Sequence, residues 1–146
     1  RSGEGGRIVP VVSADPGVTV LGNELELELL VLNLIRNAAE AQQNVKTPEI
    51  IIEIHAVPTP NLAVSDRGPK LSDAELQRLE TSPVSVKEEG LGLGLELVRR
   101  IAAMSDASLH FERREGNGLT ARVVFPAPKS ESDSNKESSH EPSQHA

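Results

Sequence analysis

Apolar positions along this chain change period several times, and each change marks an element. From Leu27 to Ala38 they recur in three- and four-residue steps (Leu27, Leu30, Val31, Leu34, Ala38), the spacing of one helix face. Asn23 and Glu26 stand in capping-box register ahead of this run, so a long helix is predicted to begin near Asn23 and to end at the Thr47-Pro48 break. Its opening, Glu24-Leu25-Glu26-Leu27-Glu28-Leu29, alternates as a strand would. Leu and Glu are good helix formers without β-branching, and the apolar run continues towards Arg36 and Ala39, so helix is favoured. The early glutamates also suit the positive end of a helix dipole.

Elsewhere the period is two. Ile50, Ile52 and Ile54 stand at alternate positions, the mark of a half-buried strand, and a hairpin at Pro58-Thr59-Pro60-Asn61 leads into a second strand at Leu62 to Val64. Ile8 to Val12 and Val18 to Leu21 are short β-branched runs around an Asp15-Pro16-Gly17 turn. Ser72 and Glu75 form a capping box for a short helix through about Leu79, and a flexible stretch is expected up to Glu89. A second long helix is predicted over Gly94 to Met104. Leu109 to Phe111 and Thr120 to Phe125 read as paired strands around a Gly116-Asn117-Gly118 turn. The expected organisation is a flexible start (1–6), one domain (7–126) and a tail (127–146) with nothing to bury, predicted to be disordered. The element order predicts the α+β class: a two-layer sandwich, with a mixed, mostly antiparallel sheet and helices on one face.

Composition narrows the classes. The 146 residues include two phenylalanines and no tyrosine or tryptophan, so the core must be aliphatic. The net charge of −7 argues against a nucleic-acid surface. No run reaches the roughly 18 apolar residues of a membrane span, so no direct membrane contact is expected. Cysteine is absent, which excludes disulfides and thiolate metal sites and suits the cytoplasm. A first residue other than Met leads to the expectation of a fragment.

Three segments carry candidate chemistry. At about 100° per residue, Asn33, Asn37 and Glu40 share one side of the first helix, with Arg36 at its edge. Amide oxygens one turn apart can serve a hard cation such as magnesium, which takes few protein ligands besides phosphate and water. The same amides could equally face solvent. Asp66, after an apolar strand and before Gly68, could accept a hydrogen bond from an exocyclic amine or form an ordinary Asp-x-Gly turn. Gly90, Gly92 and Gly94, separated by Leu91 and Leu93 and followed by Leu95, allow close backbone approach to a ligand and open a helix whose first amides suit phosphate. His55, His110, His140 and His145 are scattered, and none has the surroundings of a phosphoacceptor.

In this order and spacing, the run Asn33-Leu34-Ile35-Arg36-Asn37-Ala38-Ala39-Glu40-Ala41, the Asp66-Arg67-Gly68 turn and the run Gly90-Leu91-Gly92-Leu93-Gly94-Leu95 resemble the N box and two glycine boxes of the ATP-binding domain of two-component sensor histidine kinases. The resemblance covers roughly Val18 to Pro126. It implies a Bergerat-type fold that binds ATP and Mg2+: Asn37 as the magnesium ligand, Asn33 and Arg36 near the phosphates, Asp66 and Gly68 at the adenine, and residues 90 to 95 lining the triphosphate. It further implies a dimerisation domain bearing the phosphoacceptor histidine as partner, a response-regulator receiver domain downstream, and a cytoplasmic position whose parent protein can be anchored in an inner membrane. Related hydrolytic ATPases resemble one another in carrying a general-base carboxylate where this chain has Asn33, and an amide cannot take that role. The chain departs from the family pattern at three places. Pro69-Lys70 replaces the second glycine of the Asp-x-Gly-x-Gly motif, with Lys70 able to point at phosphate. The lid, about Lys70 to Glu89, has no Phe, its usual Phe places falling at Glu80, Pro83 and Val84. Thr120 stands one place later than the family's glycine-threonine pair. These departures leave an alternative, a degenerate domain used as a nucleotide-sensing or interaction module.

Overall fold

The computed structural model describes residues 7–81 and 91–128, residues 91–93 by backbone only. The elements run β1 (Val11–Ala14), α1 (Glu24–Ala41), β2 (Ile51–His55), β3 (Asn61–Ser65), α2 (Asp73–Thr81), α3 (Leu91–Met104), β4 (Ser108–Arg113) and β5 (Leu119–Val124). The strands form one sheet in the order β1-β2-β3-β5-β4. β1 and β2, which have α1 between them in sequence, pair in parallel; the other pairs are antiparallel. The expected mixed α+β sandwich is therefore the observed one.

Register explains how a core with so few aromatics is built. Paired residues in adjacent strands share a face. Ile52, Val64, Ala121 and Phe111 form one cross-strand row, and Ile54, Leu62, Val123 and Leu109 form the next. Leu30, Leu34 and Ala38 of α1 and Leu95, Val98 and Ile101 of α3 join these rows in one buried cluster. Leu30 and Val98 are at most 1% exposed, so each contributes about 1.5–3 kcal/mol by burial. The opposite face carries a polar ladder, in which Ser65 meets Thr120 at 2.7 Å and Arg122 bridges Glu112 and Asn61.

Two of the predicted helix starts, at Asn23 and Ser72, have their caps. Asn23 Oδ1 accepts from the Glu26 amide at 3.0 Å. At α2 the exchange is reciprocal: Glu75 N donates to Ser72 Oγ at 3.1 Å, and Ser72 N donates to Glu75 Oε1 at 2.9 Å.

Four features differ from expectation. The predicted strand at Val18 to Leu21 does not form: the chain leaves β1 at the Asp15-Pro16-Gly17 turn and must reach the Asn23 cap, so Val20 packs on the core instead of extending the sheet. The first strand itself lies at Val11–Ala14, shifted from Ile8 to Val12. α1 ends at Ala41 rather than at Thr47-Pro48, because Gln42 N and Gln43 N donate to Ala39 O and Glu40 O, tightening the last turn. α3 begins at Leu91, ahead of the expected Gly94. The expected flexible start (1–6), the lid residues 82–89, Gly90 and the tail from residue 129 lie outside the described residues.

Candidate functional site

α1, the end of β3 and the start of α3 converge on one end of the molecule. Asn33 Nδ2 donates to the carbonyl of Leu29 at 2.8 Å, a back-bond along its own helix, and Oδ1 has no hydrogen-bond partner among the described residues. That oxygen and Oδ1 of Asn37 face Gly94. A Cβ at Gly94 would lie 3.2 Å from Asn33 Oδ1 and 3.2 Å from Asn37 Oδ1, inside comfortable contact, so the first turn of α3 rests on the two amides only because position 94 has no side chain. The long-range pairing of the asparagine and glycine segments is thus a physical contact.

Two polar atoms on this edge of α1 are buried with no hydrogen-bond partner among the described residues: Asn37 Nδ2 and Glu40 Oε1. An unsatisfied buried donor costs roughly 1–3 kcal/mol. An Asn37 amide whose Oδ1 and Nδ2 have no partner among the described residues has the chemistry to serve a cation–phosphate pair, the oxygen for the cation and the N–H for a phosphate oxygen. Arg36 and Lys70 are both exposed, and neither lines the cavity beside the amides. Gly90 lies outside the described residues. The backbone of Leu91, Gly92 and Leu93 is helical, and Leu95 is buried against the cavity wall.

The cavity has a volume of about 230 Å³, less than the ~300–1,000 Å³ that hold a whole drug-sized ligand. It has room for part of a nucleotide-sized ligand rather than the whole. Leu34, Ala38, Val64, Leu79 and Phe111 make its walls apolar, while Asn37, Asp66, Glu75 and Arg78 supply its polar points. α2 covers one side through Glu75, Arg78 and Leu79, with Leu71 just ahead of it.

Asp66 closes the far end and is 6% exposed. Its Oδ1 accepts from Gly68 N at 2.8 Å and from Leu119 N at 3.2 Å. Its Oδ2 has no partner among the described residues and remains available as an acceptor. Burial pushes the carboxyl pKa above its ordinary value, against the opposing pull of the two backbone bonds and of Arg114. Gly68 is buried against α1: a Cβ there would lie 3.0 Å from the Cβ of Ala41. Thr120 is not at the cavity, because its hydroxyl is committed to Ser65. Glu80, one of the expected lid positions, binds Phe111 N through Oε2 at 3.0 Å.

The sequence gives no sign of the group that holds the Asp66 turn. Gln42 is 2% exposed. Its Nε2 donates to Ala38 O at 3.0 Å, and its Oε1 accepts from both Glu49 N and Arg67 N at 2.9 Å. Glu49 Oε2 in turn accepts from Arg67 Nε at 2.9 Å and Arg114 Nη1 at 3.2 Å, and Arg114 Nη1 donates to Asp66 O at 2.7 Å. A glutamine at a helix end ordinarily reads as a solvated residue, and only the packing exposes this role.

Comparison with known proteins bears on the same residues. The sequence pattern of histidine kinase-, DNA gyrase B- and HSP90-like ATPases matches residues 22–129. The C4-dicarboxylate transport sensor protein DctS of Rhodobacter capsulatus is 34% identical over 117 residues, 78% of this chain and 18% of that protein. Sporulation kinase C of Bacillus subtilis is 32% identical over 113 residues, 75% of this chain and 26% of that protein. The chain thus spans between 18% and 26% of the length of these two relatives. In fold, a mycobacterial sensor histidine kinase, MprB, superposes with a TM-score of 0.69 at 22% identity over 84% of each chain. The catalytic domain of histidine kinase ThkA superposes with a TM-score of 0.68 at 24% identity, over 82% of this chain and 78% of that one.

Proposed function

Because the chain belongs to the family of histidine kinase-, DNA gyrase B- and HSP90-like ATPases, whose common property is ATP binding, we propose that it is the ATP-binding catalytic domain of a sensor histidine kinase. In this role it presents the γ-phosphoryl group to a histidine on a separate dimerisation domain, within a two-component signalling system. The observation that carries the proposal is the seating of Gly94 on Asn33 and Asn37, beside an apolar cavity that ends at Asp66.

The adenine base occupies the cavity, with its exocyclic amine donating to Asp66 Oδ2. Asn37 would hold Mg2+ through Oδ1, and its Nδ2, which has no partner among the described residues, would donate to phosphate. Magnesium, when bound, neutralises and orients the terminal phosphates. The backbone N–H groups at the start of α3, from Leu91 on, face the triphosphate. Arg36 and Lys70, exposed and outside the cavity lining, are proposed to reach the phosphates from solvent. Asn33, whose Nδ2 is given to Leu29 O, offers only an acceptor oxygen at the phosphate end, suited to a cation, and cannot deprotonate water, so transfer to an already nucleophilic histidine is favoured over hydrolysis. Among the described residues no helix is long and apolar enough to cross a membrane. The domain is proposed to work in the cytoplasm, with a response-regulator receiver domain taking the phosphoryl group from the histidine. No nucleic-acid partner is proposed for a chain of net charge −7.

The Phe-less lid favours the alternative of a degenerate sensing module. The intact contact between Gly94 and the two amides favours the kinase reading. Mixing the chain with a histidine-bearing dimerisation domain and labelled ATP decides between them. The proposal expects label on histidine only when both domains are present, with negligible free phosphate. Label on the chain alone, or rapid phosphate release, would contradict it.

A further inference from the structure

Asp66 can read a base only if its carboxylate is held still, and the structure shows what holds it. Three backbone groups bear on the turn from outside the cavity. Arg67 N, between Asp66 and Gly68, donates to Gln42 Oε1, as does Glu49 N at the entrance to β2. Asp66 O accepts from Arg114, whose guanidinium is itself held by Glu49. Gln42 is fixed to α1 through Ala38 O. Ala38, which supplies that carbonyl, and Ala41, next to Gln42 in the chain, line the cavity. One buried amide therefore ties the helix that forms one wall of the cavity to the turn that carries the recognition carboxylate.

From this geometry we infer that Gln42 is a positioning residue for base selection. With Glu49 behind it, it fixes the distance between α1 and the Asp66-Arg67-Gly68 turn, and so determines how well Asp66 Oδ2 meets an exocyclic amine at the end of the cavity. Gln42 touches no ligand. It acts through the Arg67 amide, one residue from Asp66. The inference rests on the proposed adenine site and adds to it a cause of specificity outside the three sequence motifs.

The alternative is that Gln42 merely stabilises the helix end, and a test must separate the two. The readout is the ratio of affinities for ATP and for purine riboside triphosphate, which lacks the exocyclic amine, measured by titration calorimetry on the whole chain. Loss of stability alone weakens both ligands together. Loss of positioning weakens only ATP and shrinks the ratio. Gln42→Met keeps the side-chain length and deletes all three hydrogen bonds. It is expected to reduce the ATP preference about tenfold, the worth of one hydrogen bond to a charged acceptor. Gln42→Glu retains an acceptor for Arg67 N and is expected to restore most of the preference. Glu49→Gln loosens the same turn from a partly exposed position, and so carries the test if Gln42→Met fails to fold. It should shrink the ratio in the same direction.

An unchanged ratio in Gln42→Met and Glu49→Gln, with only a lower melting temperature, overturns the inference and leaves the adenine site standing. A wild-type chain that binds both triphosphates equally, or neither, overturns the adenine site and this inference with it.

Discussion

Gly94→Ala probes the contact on which the site is built, because two known effects act on it with opposite sign. Alanine in place of glycine within a helix is worth about 1 kcal/mol of stability. At this position the new methyl would stand 3.2 Å from the Oδ1 atoms of both Asn33 and Asn37, a few tenths of an ångström inside the ~3.5–4.0 Å optimum for non-bonded atoms. Neither amide has free room to retreat: Asn33 is tied to Leu29 O, and Asn37 is partly buried with its Nδ2 enclosed. Overpacking of this kind costs about 1–3 kcal/mol. The expected net change in folding stability lies between neutral and about 2 kcal/mol of loss, read by urea denaturation. Nucleotide binding should suffer more, since the methyl turns both amide oxygens away from the phosphate end. Magnesium-dependent affinity should fall at least about tenfold, the equivalent of one charge-assisted hydrogen bond. A variant that gains the full ~1 kcal/mol of helix propensity and binds Mg-ATP as the wild type does would refute the close contact and the site assembled around it.

Two further outcomes follow from the same packing. Burial raises the pKa of Asp66, so the folded chain holds that proton more tightly than the unfolded chain does. The stability this confers is present at acid pH and is lost as pH rises from the ordinary value of 3.8 through the folded-state value. Asp66→Asn, which cannot titrate, should therefore become progressively more stable relative to wild type across that window. Urea melts at a series of pH values check it, and a difference that is flat or runs the other way counts against a buried Asp66. Phe111→Ala removes one of only two phenylalanines, 6% exposed and lining the cavity wall. It should cost about 3–5 kcal/mol in denaturation experiments, whereas a cost under about 1 kcal/mol would mean that the wall is not packed as described.

Much of this fold can be read from local rules, and the limits of the reading have physical causes. Capping boxes involve residues three apart, so Asn23 and Ser72 announce their helices without tertiary information. Alternating isoleucines give β2, and the Gly116-Asn117-Gly118 turn gives the β4–β5 hairpin. Val18 to Leu21 has strand composition, yet its place is set by the short path to the Asn23 cap and by the docking of Val20 on the core. Pro48, a strong breaker, points to a later end for α1, while the actual stop is a tightened turn at Gln42. Among site residues, Asn33, Asn37, Asp66, Gly68, Gly94 and Leu95 converge. Arg36 and Lys70 stay outside the cavity, because charged side chains on an exposed helix edge and loop gain more from water than from an apolar wall. Gln42 and Glu49 were illegible, because their importance lies in backbone partners far along the chain.

The measurement that bears most directly on the central claim is calorimetric titration of the chain with a non-hydrolysable ATP analogue, with and without magnesium, for wild type and Asp66→Asn. The account predicts binding that needs magnesium for full strength and that weakens about tenfold or more in the variant, as expected for loss of a charged hydrogen-bond acceptor. No binding by well-folded wild type, or equal binding by Asp66→Asn, would contradict it.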